Sequence, residues 1–372
     1  MPMFLSRLNL VNFKNFASVE VEFCPKINCF VGDNGVGKTN MLDAIYFLSM
    51  CKSGWLMADS QCVKHGEPFF VVDGIYRRNE GDDKIYCGFK LGSGKVIKKN
   101  GKEYDRIADH IGSYPLVQIS PADNNLVQES GEERRRFMNL VLSQIDRSYL
   151  VALQKYNRLL AHRNKLLKSN FTNGSSYEVL EVIDVQMVEV GSYIYRFRKK
   201  FVADLQPIFE RYYATISESR EVAGISYISH LINDDMKALL LKNYEKDCVL
   251  QHTSVGVHRD DLDLLLDGYS AKKMGSQGQQ KTLLIALKLA QFELIRQSSG
   301  IKPILLLDDI FDKLDPRRVS KMIELVGNDL FGQIFITDSN KHRLEEALGV
   351  LLNDAYLFSV ADGAVERKDI LP

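Results

Sequence analysis

The sequence predicts an α/β fold, in which a mixed sheet with helices carries a phosphate-binding loop and a mainly helical lobe is inserted. Three observations indicate this fold. Residues 28–48 contain a short apolar strand, a G-x-x-x-x-G-K-T loop and an apolar helix in succession. Residues 302–316 contain a second apolar strand, which runs into two aspartates. Between them, residues from about 120 to 245 lose the alternation typical of strands and have helical periodicity instead.

Composition argues against several classes of protein. The chain has 372 residues, 45% hydrophobic and 26% charged, which suits one large domain or two to three lobes. No stretch approaches the ~20 apolar residues of a membrane span, and no signal-peptide pattern is found, so we expect a cytoplasmic protein. The six cysteines form no CxxC pair, which predicts reduced thiols. Lysine plus arginine and aspartate plus glutamate both number 48, so nucleic-acid binding requires local basic patches.

The N-terminal part of the chain is predicted to be rich in antiparallel strands. From Leu8 to Val117, segments such as SVEVEF, FFVVDGIYR and KIYCGFKLG alternate apolar and polar residues. This alternation is typical of half-buried strands, and the turn residues between the segments predict hairpins.

The glycine-rich loop predicts a nucleotide phosphate site. It has the strand–loop–helix setting that the motif requires, and backbone N–H groups of such a loop surround the phosphates. Lys38 supplies a positive charge, and the Thr39 hydroxyl can bind Mg²⁺. A glycine-rich turn without function is the alternative. The candidate nucleotide-binding residues are Gly32, Asp33, Asn34, Gly35, Val36, Gly37, Lys38, Thr39 and Asn40.

The helical lobe is predicted to contain a short antiparallel helical hairpin. Apolar residues on its second helix recur at alternating steps of three and four, which is typical of a packed helical seam. Residues 168–176 are the predicted turn, and Pro207 predicts an end or a kink of the second helix. The predicted seam consists of Leu180, Ile183, Met187, Val190, Ile194, Phe197, Phe201 and Leu205, facing Leu150, Leu153, Asn157, Leu160, Asn164 and Leu167.

Three basic clusters are candidate DNA contacts, although an ordinary solvated helix face can have the same composition. One cluster follows helical spacing from Lys155 to Lys168, one lies at residues 196–200, and one is a predicted hairpin tip at 95–102. The residues singled out as candidate DNA contacts are Lys155, Arg158, Lys165, Arg198 and Lys199.

A second anion site is predicted at residues 275–278. There the stretch KKMGSQGQQKTLLIALKLA (272–290) places a turn of small residues before an amphipathic helix. A helix start binds anions because its unpaired N–H groups and the positive end of the helix dipole coincide. The chain therefore has two phosphate-directed loops that lie far apart in sequence.

The apolar strand at residues 304–307 predicts the acidic partner of the first loop. It is apolar on both faces, as expected of a buried parallel strand, and it leads into Asp308 and Asp309. We expect Asp308 to hold Mg²⁺ and Asp309 to orient or activate the attacking water, with Lys38 as the other catalytic residue. An ordinary helix N-cap is the alternative for two adjacent carboxylates.

Taken together, these motifs resemble the ATP-binding-cassette (ABC) class of ATPases. Four sequence segments, which are spread along most of the chain, resemble more specifically the RecF family, in the SMC-like group of that class. They are LVNFKNF (10–16), SPADNNLVQESGEERRRFMN (120–139), SVGVHRDDLDLLLDG (254–268) and GSQGQQKTLLIALKLAQFE (275–293).

This resemblance implies how the two phosphate-directed loops are used. In the ABC class the Ser/Gly-rich signature turn faces the P-loop of a second subunit, so two ATP molecules lie between the subunits of a head-to-tail homodimer. Ser276, Gly278 and Gln279 would then belong to a nucleotide site shared with the partner, and Asp315 would be the class's dimer-contact aspartate. ATP and Mg²⁺ are the implied cofactors.

The resemblance also implies a function: a DNA-binding ATPase of DNA replication and recombinational repair, active in the SOS response, with weak DNA-stimulated turnover. It implies partner proteins of the RecR and RecO type. It divides the chain into an N-terminal ATPase part (1–119), a helical lobe (120–248) and a C-terminal ATPase part (249–372). Single-stranded DNA, duplex and gap junctions stay open as ligands.

Two other functions stay open at this point. One is a nucleotide-gated scaffold without hydrolysis, because Asp309 stands where the wider class more often has glutamate. The other is the ATP-binding subunit of another ABC system.

Overall fold

The structure is a computed structural model that describes residues 3–56, 58–169, 175–310, 316–328 and 330–368. The chain divides into two compact units. The sheet unit contains the residues up to Asp123, Thr215–Glu218 and the residues from Ile285 onward; the helical unit contains Asn124–Ala214 and Ser219–Leu284. The signature turn at 275–278 lies in the helical unit by this division. The lobe boundaries predicted at 119/120 and 248/249 stay predictions.

The first sheet of the sheet unit is antiparallel. Its strands are β1 (Met3–Phe13), β2 (Phe16–Glu22), β4 (Phe69–Arg78), β5 (Gly81–Lys90), β6 (Gly94–Lys99) and β7 (Lys102–Glu103). The spatial order is β2-β1-β4-β5-β6-β7. Along β1, Leu8 and Leu10 are buried and Asn9 between them is half-buried. The predicted hairpins and alternating strands are confirmed.

The second sheet of the sheet unit is mainly parallel. Its strands are β3 (Ile27–Val31), β8 (Leu116–Ile119), β12 (Ile304–Asp308), β13 (Ile334–Asp338), β14 (Ala355–Ala361) and β15 (Ala364–Lys368). The spatial order is β15-β14-β3-β13-β12-β8, and only the β14–β15 pair is antiparallel among these strands. Every residue of β3, β12 and β13 is buried, which confirms the predicted buried parallel strand. The carboxyl ends of these three strands are therefore neighbours.

Helices complete the sheet unit. The helix α1 (Lys38–Met50) follows β3 directly, and most of its residues are buried, because a helix behind a parallel strand packs on the sheet. The helices α10 (Pro316–Val326) and α11 (Lys341–Leu348) lie in the C-terminal part.

The helical unit contains mainly helices with one small sheet. Its helices are α2 (Asn125–Gln128), α3 (Gly131–Ile145), α4 (Arg147–Lys168), α5 (Ser175–Ser217), α6 (Met236–Lys242), α7 (Tyr244–Leu250), α8 (Ala271–Met274) and the start of α9 (Gln277–Ser299). The strands β9 (Ala223–Ile228), β10 (Asp261–Leu266) and β11 (Tyr269–Ser270) form an antiparallel sheet that was not predicted. In the part of the chain that is described, no helix has the length and apolar character needed to cross a membrane.

The predicted antiparallel hairpin is formed by α4 and α5. Residues nearer the start of α4 contact residues nearer the end of α5, as in an antiparallel pair of helices. The Arg163 guanidinium lies 2.6 Å from the Asp184 carboxylate, and the Arg198 guanidinium lies 3.1 Å from the Tyr149 hydroxyl. The tip of the hairpin, residues 170–174, lies outside the described residues. Of the two outcomes predicted at Pro207, an end of the second helix is wrong, because α5 continues through Pro207 to Ser217, and a kink stays a prediction.

The seam was predicted correctly on α5 for all residues but one, and on α4 only for Leu167. On α5 all the predicted residues except the half-buried Phe197 are buried. On α4, Leu167 is the one predicted residue that is buried, and Asn157 is exposed. The other buried residues are Tyr149, Tyr156, Leu159 and Arg163. The predicted face was wrong because it counted only aliphatic and amide side chains. Tyrosine and arginine are buried here because their polar atoms have hydrogen-bond partners.

Candidate functional site

The phosphate-binding loop connects β3 to α1 and needs glycine at both of its ends. Gly37 has φ 113°, and a Cβ there would lie 2.4 Å from the Asn15 amide nitrogen. A Cβ at Gly32 would lie 2.3 Å from the Val360 carbonyl oxygen. Gly35 has φ 86°, but a Cβ there would meet no atom within 4 Å. The ends of the loop are therefore closely packed, while its exposed crest at residues 33–35 faces open space.

Asn15 holds this loop from the turn between β1 and β2. Its side-chain amide donates to the Val36 carbonyl (2.9 Å), and its side-chain carbonyl accepts from the Asn40 amide (2.8 Å). Sequence analysis missed this role, and the only signal was the position of Asn15 in LVNFKNF. Asn40, predicted to bind nucleotide, thus has its side-chain amide on Asn15.

Lys38 lies across the loop that it follows. Its ammonium donates to the carbonyls of Gly32 (2.7 Å) and Asp33 (2.8 Å), and the side chain is buried. Burial lowers the pKa of Lys38, and the carboxylates of Asp309 and Asp308 oppose that shift. A partly desolvated positive charge interacts with phosphate more strongly than one in water does.

The loop and the acidic strand are joined by hydroxyl groups. The Thr39 hydroxyl lies 3.0 Å and 3.2 Å from the two carboxylate oxygens of Asp308. The Thr337 hydroxyl, at the end of β13, donates to the same carboxylate at 2.7 Å. Burial raises the pKa of Asp308, and these two hydroxyl donors oppose the shift. The structure thus brings together Thr39 and Asp308, the two residues predicted to hold the metal.

This donor set fits a magnesium ion. A hydroxyl that donates its proton to Asp308 keeps oxygen lone pairs for a cation, and Asp308 adds carboxylate oxygens. Mg²⁺ prefers oxygen ligands and is commonly held by one or two protein groups together with water and phosphates. Two oxygen-bearing side chains at the mouth of a phosphate loop match that preference.

Asp309 is placed for a different role from that of Asp308. Its backbone is left-handed, with φ 47°, a conformation that aspartate tolerates better than most residues do. Its N–H group donates to the Thr337 hydroxyl at 3.0 Å. Its carboxylate oxygen Oδ1 is buried without a hydrogen-bond partner within the described ranges. A buried carboxylate oxygen with unused acceptor capacity fits a group that orients water.

The signature turn is a helix start that is capped by its own residues. The Ser276 hydroxyl accepts from the Gln279 N–H (3.3 Å), and the Gln279 side-chain carbonyl accepts from the Ser276 N–H (2.6 Å). This reciprocal pair is a capping box. The Gln279 amide also donates to Glu221 (2.7 Å). Ser276 is exposed and Gly278 is half-buried, so this helix start is open to a ligand. Asp315 lies outside the described residues.

Four of the five predicted DNA-contact residues have accessible charged groups. Arg158, Lys165 and Lys199 are exposed. Lys155 is 39% exposed in its side chain and lies 3.6 Å from Glu189. These residues stay candidates for DNA contact.

The prediction that Arg198 contacts DNA is wrong. Arg198 is 2% exposed, and its guanidinium donates to the Asp260 carboxylate (2.7 Å) and the Val257 carbonyl (2.6 Å). It also contacts Tyr149 and Asn139. Its charge is used inside the helical unit, where a phosphate cannot reach it.

The H-R-D-D stretch at residues 258–261 is mostly structural. The Nε2 atom of His258 donates to the Thr253 carbonyl (3.0 Å), so its Nδ1 atom accepts from the Tyr156 hydroxyl (2.8 Å). Burial lowers the pKa of His258 to about 4. Asp261 forms a bidentate ion pair with Arg134, at 2.6 Å and 2.9 Å. This stretch therefore ties α3, α4 and β10 together by neutral and paired groups.

Known proteins resemble this chain along its whole length. It is 46% identical over 366 residues to the DNA replication and repair protein RecF of Bacteroides thetaiotaomicron, covering 98% of this chain and 99% of that protein. It is 48% identical to RecF of Flavobacterium johnsoniae, covering 92% and 96%. Residues 3–173 match the AAA ATPase domain family.

Solved structures of RecF also resemble this chain in fold. The recombination mediator protein RecF with ATP, of the RecFOR pathway, superposes with a TM-score of 0.88 at 32% identity, covering 99% of this chain and 98% of that one. An Smc head domain from Pyrococcus furiosus superposes with a TM-score of 0.58 at 16% identity, covering 99% and 96%. The sheet, the phosphate loop and these likenesses define an α/β ATPase head of the ABC type. Within that class, the chain belongs to the RecF family of DNA replication and repair proteins.

Proposed function

We propose that this chain is an ATPase that dimerises when it binds ATP, holds DNA as a dimer and releases it after hydrolysis. The observation that carries the proposal is the hydrogen bond between Thr39 and Asp308, which joins the phosphate loop to the acidic strand. The match to the AAA ATPase domain and the likeness to RecF with ATP support ATP as the nucleotide and ATPase activity.

The side chains divide the chemical work among them. Lys38 places a desolvated positive charge against the phosphates. Thr39 and Asp308 would hold Mg²⁺, which when bound neutralises charge on the β- and γ-phosphates. Asp309 orients the attacking water and accepts its proton, which is the usual contribution of a positioned carboxylate.

The signature turn completes a nucleotide site of a second copy of the chain. The exposed Ser276 hydroxyl and the N–H groups at the start of α9 provide the donors that a γ-phosphate needs. ATP then links two chains head to tail, with two shared sites. Asp315 belongs to the same dimer contact.

DNA binding requires the dimer because the chain has no net charge. Basic residues of α4 and α5, which include Lys155, Arg158, Lys165 and Lys199, are the proposed phosphate contacts. Two copies double the number of such contacts, which raises the affinity without new chemistry. Weak ATP turnover, stimulated by DNA, would then limit how long the dimer stays bound to DNA. RecR- and RecO-type partners are proposed from the likeness to the RecFOR mediator.

The oligomeric state tests this function. We expect light scattering after gel filtration to show a monomer without nucleotide and a dimer with ATP and Mg²⁺. Adding duplex, gapped or single-stranded DNA should stabilise the dimer to an extent that identifies the preferred form. A monomer under all these conditions would contradict the proposal. A stable ATP-bound dimer that never hydrolyses ATP would favour the nucleotide-gated scaffold.

The salt dependence of DNA binding tests the basic face. Replacing Lys155, Arg158 and Lys165 by alanine should flatten the slope of log K against log[salt] by up to about 3 units, roughly one for each lost phosphate contact. The matched control removes three exposed lysines of α6 and α7 in the same unit: Lys237, Lys242 and Lys246. Equal slopes for the two triple variants would return the α4 face to an ordinary solvated surface.

A further inference from the structure

Thr337 contacts both acidic residues of the nucleotide site, through the side chain of Asp308 and the backbone of Asp309. It lies near the end of β13, between β3 and β12, and is fully buried. Its hydroxyl lies 2.7 Å from the Asp308 carboxylate and 3.0 Å from the Asp309 backbone nitrogen. No sequence motif pointed to it, because a threonine in an apolar strand has no distinctive spacing.

The donor and acceptor roles at the Thr337 hydroxyl follow from the groups that it contacts. A threonine hydroxyl has one proton to donate and two lone pairs. The Asp309 N–H can only donate, so the hydroxyl oxygen accepts there. The single hydroxyl proton is then directed to the Asp308 carboxylate. One oxygen atom thus links the residue that would hold Mg²⁺ to the backbone of the residue that orients water.

The second link matters because Asp309 has an uncommon backbone conformation. A left-handed φ of 47° in a non-glycine residue costs free energy and persists only where the surroundings hold it. Among the described residues, the Asp309 N–H has one other acceptor, the Thr337 carbonyl at 3.3 Å. The hydroxyl is the shorter of the two contacts, so it is the main hydrogen bond that holds the Asp309 backbone N–H in place.

We propose that Thr337 is a positioning residue for ATP hydrolysis, which sets Asp308 and Asp309 relative to each other through one hydroxyl group. This inference rests on the proposed ATPase function. Thr337 acts by orienting the two acids, through its hydrogen bonds to the Asp308 carboxylate and the Asp309 N–H. Groups that orient metal ligands from behind typically affect metal affinity or activity by about 10–100-fold when they are removed.

Two substitutions test the inference. Thr337→Val keeps the shape of the side chain and removes the hydroxyl, and Thr337→Ser keeps the hydroxyl and removes the methyl group. We expect Thr337→Val to lower kcat by about 10–100-fold and to raise the Mg²⁺ concentration needed for tight ATP binding. Nucleotide binding measured in EDTA should stay within about twofold, because Lys38 and the loop are unchanged. Thr337→Ser should retain most of the turnover.

A readout without nucleotide completes the test. Hydrogen exchange in the peptide that contains Asp309 should be faster in Thr337→Val than in wild type or Thr337→Ser, because one acceptor of that N–H is lost. Ser49→Ala, which removes another buried hydroxyl of the sheet unit next to Tyr76, is the control and should change neither exchange at Asp309 nor the Mg²⁺ dependence.

The outcomes separate this inference from the proposed function. If Thr337→Val and Thr337→Ser lose turnover equally, or if Thr337→Val keeps wild-type turnover and Mg²⁺ dependence, the hydroxyl has no positioning role. If wild type itself never hydrolyses ATP, the proposed function is contradicted instead. Melting temperatures of the variants show whether a loss comes from unfolding, and a folded Thr337→Ser variant keeps the comparison decisive.

Discussion

The two phosphate-directed loops of this chain are built in different ways. The loop at residues 32–39 is tied to several elements of the sheet unit. Asn15 packs against its last glycine, and Thr39 bonds to Asp308 at the end of another strand. The signature turn at 275–278 has its main contacts within one helix start and with Glu221 of the same unit.

This difference teaches which loop can bind a phosphate without help. The first loop combines a buried cation, two oxygen-bearing side chains for a metal and a carboxylate with a buried oxygen that has no hydrogen-bond partner among the described residues. The second offers exposed donors and no charged side chain within residues 275–278. Donors at a helix start add modest binding energy on their own, so the turn works best against a nucleotide already held elsewhere. Mutations should therefore separate binding by the first loop from assembly by the second.

The largest effect is expected within the first site. Asp309→Asn should bind ATP normally and hydrolyse it roughly 10²–10⁴-fold more slowly, because an amide cannot accept the proton of the attacking water. Single-turnover ATP hydrolysis with excess protein measures the chemical step directly. The variant should also persist as an ATP-bound dimer on DNA. Turnover near the wild-type rate would assign the base to another residue.

A pair of substitutions, one in each loop, compares what the two loops contribute to nucleotide binding. Lys38→Met should lower ATP affinity on the order of 10²-fold, because it removes charge-assisted hydrogen bonds to phosphate. Ser276→Arg should leave ATP binding by the monomer within about twofold, since the first loop is unchanged. Both variants should fail to form ATP-dependent dimers. Fluorescent-nucleotide titration at protein concentrations where wild type is monomeric measures the first difference, and equal losses would contradict separate roles.

Sequence alone predicted the parts of this site that are encoded by local spacing. Lys38, Thr39 and Asp308 stand in motifs whose strand–loop–helix setting requires their side chains to meet, and the structure brings Thr39 and Asp308 together. Asn15 was missed because its role is a contact between the β1–β2 turn and a loop further along the chain, and Thr337 because its role comes from strand order in space. β13 lies between β3 and β12, although it follows both in the chain. Parallel order of this kind leaves no mark on local periodicity.

The errors on α4 and α5 have another physical cause. Arg198 has the composition of a surface residue, yet its ion pair with Asp260 lets it be buried. Arg163 is buried by the same means, with Asp184 and Asp247 as partners. A sequence shows charges but not which opposite charge will be near, so buried ion pairs were taken for basic surface or for solvent-facing positions. The apolar seam of α5 was predicted because burial of aliphatic side chains needs no partner.

Acid should lower the stability of the helical unit, which contains the signature turn. The pKa of His258 is about 4 in the folded chain, against 6.5 for the free group. Between these two pH values the unfolded chain binds a proton at His258 that the folded chain does not bind. The contribution of the neutral His258 to the free energy of unfolding is therefore fully present above pH 6.5, and it is lost as the pH decreases to 4. The free energy of unfolding should decrease by about 3 kcal/mol in total over this range.

Urea unfolding between pH 7 and pH 4 measures this dependence. His258→Gln has no titrating group at this position, so its stability should vary less over that range. His230→Gln, at an exposed position of the same unit, should keep the wild-type dependence. A wild-type pH profile unchanged by His258→Gln would show that the buried histidine does not govern acid sensitivity.

The smallest expected effect is the most specific for the comparison between the loops. Ser276→Arg and Lys38→Met should each be inactive alone, and a mixture should recover activity. In a mixed dimer, the nucleotide site made by Lys38 of one chain and Ser276 of the other carries neither change, while the second site carries both. Recovery should reach at most about half of the wild-type rate if the two sites of the symmetric dimer act independently. The chain with both substitutions should stay inactive, because every site it forms carries both changes. If mixing restores nothing and Ser276→Arg alone also fails to bind ATP, the signature turn serves the loop of its own chain. The separate construction of the two loops would then have no role in joining two molecules.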